Sequence, residues 1–122
     1  MGRLLGRIKR RADFLTVAAA RRKWVGQGFV LQACPRSDEN PETRVGYTAS
    51  RKVGGAVVRN RAKRRLRALA DRVVTKAGKS GMDYVLIGRR DTVRLPFSDM
   101  EQDLHRALQK VNTQRGKKGT AS

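Results

Sequence analysis

The chain has 122 residues, with 29 Lys and Arg against 10 Asp and Glu, a formal net charge of +19. That length suits one domain. The single cysteine excludes an intrachain disulfide and a cysteine-based zinc cluster, and no apolar run approaches the ~20 residues of a membrane-spanning helix.

Residues 1–11 are Arg-rich and free of acids. They superficially suggest a transit peptide, but Asp13 and a structured pattern follow at once. A basic arm on an RNA-binding domain is the simpler account. A short helix is expected from Asp13 to Ala20, with Asp13 as its cap and Phe14, Leu15, Val17 and Ala18 on its apolar side. Trp24-Val25 suggests a short strand, in which Trp24 either stacks on RNA or covers a sheet edge. Phe29 to Cys34 reads as a second strand, and Cys34 as a small buried side chain suited to a reducing, cytoplasmic compartment. The loop from Pro35 to Thr43 holds two prolines and three acids and reads as a solvated turn. From Arg44 to Ser50 the pattern alternates, placing Val45, Tyr47 and Ala49 on one face, so Tyr47 reads as core.

Gly54-Gly55 breaks the chain before a long helix from about Ala56 to Lys76, with Gly78 placed to end it. A helix N-terminus after Gly55 is able to hold a backbone phosphate, although no Walker-type lysine pattern accompanies it. At 100° per residue, Val58, Ala62, Leu66, Leu69 and Val73 form a core stripe. Arg59, Asn60, Lys63, Arg64 and Arg67 are expected on the opposite side, with Arg61, Arg65 and Arg72 flanking. Like charges at i,i+4 destabilise a helix by roughly 0.2–0.5 kcal/mol per pair, a cost that a polyanion lying along this face would reverse. No acid occurs from Arg44 to Ala70, so the charge is segregated, not mixed as on an ordinary solvated surface. Residues 84–87 read as an inner strand. Ser98 with Glu101 suggests a capping box for a last helix bearing Met100, Leu104, Leu108 and Val111 on its apolar side. The domain is expected to span residues 12–112, with a disordered tail at 113–122.

Protein-borne hydrolysis would need a paired acid and base, a metal-binding carboxylate cluster or an activated nucleophile. His105, the only histidine, has no evident partner and reads as a surface residue. Asp99, Glu101 and Asp103 sit where a helix dipole stabilises negative charge, which accounts for them without a metal.

The stretch Ser50-Arg51-Lys52-Val53-Gly54-Gly55-Ala56-Val57-Val58-Arg59-Asn60-Arg61-Ala62-Lys63-Arg64-Arg65-Leu66-Arg67 resembles the signature of the bacterial ribonuclease P protein subunit. Asp13-Phe14 and Arg44-Val45-Gly46 also match that family's pattern, and the likeness covers roughly residues 4 to 112. The resemblance implies an α/β (α+β) sandwich of order αβββαβα. Its sheet is central and mostly antiparallel, as in ribosomal protein S5 domain 2-like folds, with a left-handed β–α–β crossover where the general rule expects a right-handed one. It implies that a catalytic RNA performs Mg²⁺-dependent hydrolysis to free the 5′ leader of precursor tRNA. The Mg²⁺ is then bound mainly by the RNA, and the protein supplies no catalytic residue. The partners implied are that RNA and precursor tRNA, with no membrane and no DNA.

On this likeness Arg59, Asn60, Arg61, Lys63, Arg64 and Arg67 contact the catalytic RNA, and Arg51 and Lys52 extend the same surface. Arg suits phosphate because its planar fork binds bidentately. Phe14, Phe29 and Gln32 belong to the leader-binding cleft, where an aromatic stacks on unpaired bases; Phe14 reads equally as a core anchor of the first helix. Ala18 and Gln32 stand where the family often carries aromatics, so fewer stacking platforms are expected here. Two rival readings are a ribosomal or ribosome-assembly protein and a DNA-binding regulator. Against the first stands the ordered strand–Gly–helix signature. Against the second stands the strand and Gly turn, in place of a second helix, before residues 56–76.

Overall fold

In the computed structural model, which describes residues 4–113, eight elements follow one another. They are β1 (Leu5–Arg7), α1 (Arg11–Ala19), β2 (Arg22–Val25), β3 (Phe29–Pro35), β4 (Thr43–Ala49), α2 (Ala56–Ala77), β5 (Met82–Gly88) and α3 (Phe97–Thr113). Single 3-10 turns occupy Arg51–Val53 and Arg90–Val93. This is the expected αβββαβα order with one strand added in front. Residues 5–7 are not a free arm. They pair in parallel with β4, Leu5 opposite Thr43 and Arg7 opposite Val45, and Ile8 behind them is buried. Three residues are too few to show a period in sequence; the open edge of β4 and the burial of Ile8 hold them. The expected tail lies outside the described residues except for Thr113, which ends α3.

The five strands form one sheet in the order β1-β4-β5-β3-β2. β1–β4 and β4–β5 are parallel, and β3–β5 and β2–β3 are antiparallel. Counting β1, the expected mostly antiparallel sheet is an even mixture. α2 links the adjacent parallel strands β4 and β5.

Central β5 is covered on both faces, which is why its sequence runs apolar without alternation. Met82, Tyr84 and Leu86 join Phe29, Leu31 and Val45 beneath α2 and α3. Val85 faces the other way, with Val17 and Ile8, beneath α1. α2 buries Ala62, Leu66, Leu69 and Val73 as its spacing predicts, and Ala70 and Val74 as well. Val58 is only half-buried, against the 3-10 turn, because α2 begins beyond the sheet.

Two helix starts differ from expectation. Arg10, not Asp13, is the cap residue of α1; Asp13 lies in the first turn and pairs with Arg10 and Arg44 at 3.6 and 3.8 Å. α3 begins at Phe97, so Ser98 lies inside the helix. Glu101 is drawn instead into an ion pair with Arg72 of α2. At both starts the acid of the expected cap is ion-paired instead, Asp13 with Arg10 and Arg44, and Glu101 with Arg72.

Buried polar groups fix the remaining geometry. Arg36 and Arg44 both donate to Asp83, at 2.8 Å to its Oδ1 and, from Arg44, 2.6 Å to its Oδ2. Burial alone would raise the Asp83 pKa, but the two guanidiniums hold it below the ordinary carboxylate value. Arg36 also donates to the carbonyls of Asn40 and Glu42. The acid-rich loop is thereby ordered around a buried guanidinium. Arg22 donates to the Val111 carbonyl at 3.1 and 2.6 Å, anchoring the C-terminal turn of α3, where cations are favoured.

Candidate nucleic-acid interface

α2 carries the basic signature, and the packing of its apolar side decides where each cation stands. Asn60, Arg61 and Arg64 are exposed. Arg59, Lys63 and Arg67, spaced one turn apart, are half-buried. They do not lie opposite the core stripe as expected. Burial of Ala70 and Val74 widens the stripe toward their side of the helix, so they line its flank. None of Arg59, Arg61, Lys63, Arg64 and Arg67 forms an ion pair with a carboxylate among the described residues. Two other α2 cations are engaged by the protein itself. Arg65 donates to the Thr92 carbonyl at 2.9 Å and lies over the Phe97 ring, and Arg72 pairs with Glu101. Five α2 cations thus stand without a carboxylate partner among the described residues, while Arg65 and Arg72 are anchored.

The ridge starts at a sharp break. Gly54 has φ +149°, a conformation that side-chain-bearing residues rarely adopt. It turns the chain from the Arg51–Val53 3-10 turn into α2, whose N-cap residue Gly55 provides no side-chain cap. Arg51 and Lys52 are exposed on that turn. The parallel register sets Ala49 opposite Gly88, so the segments following β4 and β5 emerge side by side. Arg89, Arg90 and Arg94 thereby join Lys52 around a cleft of about 640 Å³. The Arg90 Nε donates to the Lys52 carbonyl at 3.2 Å, which ties the two turns together. Sequence reasoning missed these three arginines. Their only signal was their position after a strand whose neighbour was not yet known.

A second cleft, of about 500 Å³, lies between α1 and the sheet. Phe14, Ala18, Gln32, Val85 and Ile87 border it, with Lys9 and Arg11 at one end. Ala18 and Gln32 also border an adjoining depression with Arg21, Arg22 and Lys23. The lining is therefore mostly apolar, broken by Gln32 and Thr48, and cations border both the cleft and the adjoining depression. Its depth depends on Gly46: a Cβ there would lie 2.6 Å from Phe14 Cε1 and 3.1 Å from Ile8 Cβ. Glycine at this position lets α1 approach the sheet.

The expected cleft residues separate. Phe14 and Gln32 border the cleft. Phe29 does not. It is fully buried on the opposite face of the sheet, beneath α2 and α3, because odd-numbered residues of β3 face that core. Trp24 packs on Phe29, ring centroids 5.6 Å apart, and so covers the sheet edge. Cys34 is half-buried beside the α1 cluster, and burial, then Asp83, push its thiol pKa up. His105 is exposed. No three His, Cys, Asp or Glu side chains converge as a metal site among the described residues.

Residues 5–112 match the family model described as Ribonuclease P. The ribonuclease P protein component of Paramagnetospirillum magneticum is 49% identical over 114 residues, covering 91% of this chain and 86% of the relative. That of Ruegeria pomeroyi is 48% identical over 106 residues, covering 86% and 85%. The solved structure of the Staphylococcus aureus RNase P protein aligns with a TM-score of 0.69 at 26% identity, over 87% of this chain and 94% of that one.

Proposed function

The chain belongs to the ribonuclease P protein family, and on that premise we propose that it docks a ribonuclease P RNA along α2 and guides the 5′ leader of precursor tRNA into the cleft beneath α1. The observation that carries this reading is the ridge of five α2 cations without carboxylate partners among the described residues, on a helix where Arg65 and Arg72 are anchored by the protein itself. A side chain already paired would have to exchange one anion for another and gain little. An unpaired one gains the full release of phosphate counterions. Lys52, Arg89 and Arg90, with Arg51 in an adjoining depression beside Lys52 and Arg90, continue the positive surface around the end of β4 and β5. The mostly apolar cleft with cations beside it suits an unpaired strand, its bases over Phe14 and its phosphates toward Arg11 and Lys23.

The chemistry is assigned to the RNA. Asp83 is held by two guanidiniums. Asp13, Asp38, Asp91, Glu101 and Asp103 each face an arginine. Among the described residues no three His, Cys, Asp or Glu side chains converge. In this reading Mg²⁺ is held mainly by the RNA of the holoenzyme. The decisive experiment is a reconstitution in which a bacterial ribonuclease P RNA cleaves precursor tRNA at low Mg²⁺ with and without this protein. Stimulation is expected. Equal rates would overturn the reading.

A further inference from the structure

Arg67 differs from the other cations of the ridge. Its guanidinium carbon lies 5.6 Å from the centroid of the Tyr47 ring, and its Nε is buried without a hydrogen-bond partner. A carboxylate stands one turn further along: Asp71, the one acid in α2, close enough for its charge to raise the Tyr47 pKa. Yet Arg67 and Asp71 form no ion pair among the described residues. Arg four residues before an acid is the weaker order for a helical pair, and an aromatic face is a comparable seat for a guanidinium. The ring wins.

Tyr47 is suited to hold that seat. It lies on β4 two residues beyond Val45, where the pairing with β1 ends, at the rim of the main core. Burial first, and then the charge of Asp71, push its pKa up to about 12. The phenol is therefore neutral at any working pH, and the ring keeps its attractive face. Arg7, opposite Val45 on β1, shares this side of the sheet and adds positive charge beside it.

We propose that Tyr47 is a positioning residue for RNA docking: its ring keeps the Arg67 guanidinium away from Asp71 and presents the terminal N–H groups to a phosphate of the RNA. This rests on the reading of α2 as the docking ridge. With Nε already out of water, Arg67 also has less hydration to shed when a phosphate arrives.

The test measures affinity of the full-length protein for an in vitro transcript of a bacterial ribonuclease P RNA, across a salt series. A cation–π seat of this kind corresponds to a loss of about 2- to 30-fold when the ring is removed. Tyr47→Leu should weaken binding within that range, while Tyr47→Phe stays within about twofold of wild type. Tyr47→Leu should cost nothing further in an Arg67→Ala background, and Asp71→Asn should restore much of the affinity lost by Tyr47→Leu. A purely structural role for the ring would show none of this dependence on Arg67 and Asp71. An equal loss from Tyr47→Leu with and without Arg67 would overturn the proposal. So would an unchanged affinity in Tyr47→Leu while Arg59→Ala binds more weakly, a result that leaves the docking ridge intact. If neither Arg59→Ala nor Arg67→Ala weakens binding, the ridge itself is refuted and Tyr47 has nothing to position. Should Tyr47→Leu fold poorly, the Asp71→Asn variant alone decides. Any rise should then be the same with Arg67 and in an Arg67→Ala background, since the ring already holds Arg67 away from Asp71; a rise confined to the Arg67-bearing protein would overturn the proposal.

Discussion

Arg64 and Arg72 make a matched pair for testing whether position on α2, and not charge alone, governs RNA docking. Each is an arginine on the same helix, each is exposed, and replacing either by Ala lowers the net charge by one. They differ in engagement. Arg64 has no partner among the described residues, whereas Arg72 is ion-paired with Glu101. A phosphate contact contributes about 0.7–0.9 to the slope of log K against log salt. A fourfold rise in salt, from 50 to 200 mM, therefore weakens binding by about threefold per contact. A protein using all five free cations should lose roughly 130- to 500-fold over that range. Arg64→Ala should reduce the slope by about 0.7–0.9, and Arg72→Ala should leave it nearly unchanged, because Arg72 serves Glu101 in the free protein. Neither substitution should unfold the chain, since exposed side chains and surface ion pairs contribute at most about 1 kcal/mol. The assay is equilibrium binding to ribonuclease P RNA at five or more salt concentrations. Equal slope reductions in the two variants would refute the reasoning, because the RNA would then be sensing net charge and not a ridge.

Other predictions concern the scaffold. Asp83→Asn leaves two guanidiniums without their carboxylate and should cost about 3–5 kcal/mol in urea unfolding. The folded pKa of Asp83 lies below its unfolded value near 3.8. The stability it contributes is thus present above pH 3.8 and lost as pH falls through the folded value. The variant should show a shallower acid limb, and an unchanged limb would count against the buried triad. Gly46→Ala should destabilise by about 1–3 kcal/mol through overpacking against Phe14 and Ile8, and should shift α1 resonances in NMR spectra more than those of α2. Phe14→Ala and Phe29→Ala should separate cleft from core. The first should weaken binding of precursor tRNA relative to mature tRNA by about 1–3 kcal/mol. The second should cost about 3–5 kcal/mol of folding stability. A Phe29 variant that folds normally but loses leader discrimination would return Phe29 to the cleft.

The sequence alone determined the family, the long basic helix and the order of the principal elements. These are written in local code: the period of α2, the alternation of β4, the Gly54-Gly55 break and the adjacent run of Arg and Lys. Local code does not say which surface lies beside which. That Phe29 and Gln32 face opposite sides of the sheet was readable from their odd spacing. Which side formed the cleft was not, because both faces of β3 are covered. The burial of Ala70 and Val74 turned Arg59, Lys63 and Arg67 onto the flank of α2, and it depends on how the helix meets β4 and α3. The grouping of Arg51 and Lys52 with Arg89 and Arg90 follows from β4 and β5 being parallel neighbours, a pairing between segments some forty residues apart that no window of sequence contains. The pairing of Arg72 with Glu101, and the resting of Arg67 on Tyr47, are likewise contacts between distant elements. Charge was legible as composition, but its availability was decided in three dimensions. A cation is free for RNA only where folding has brought it no anion.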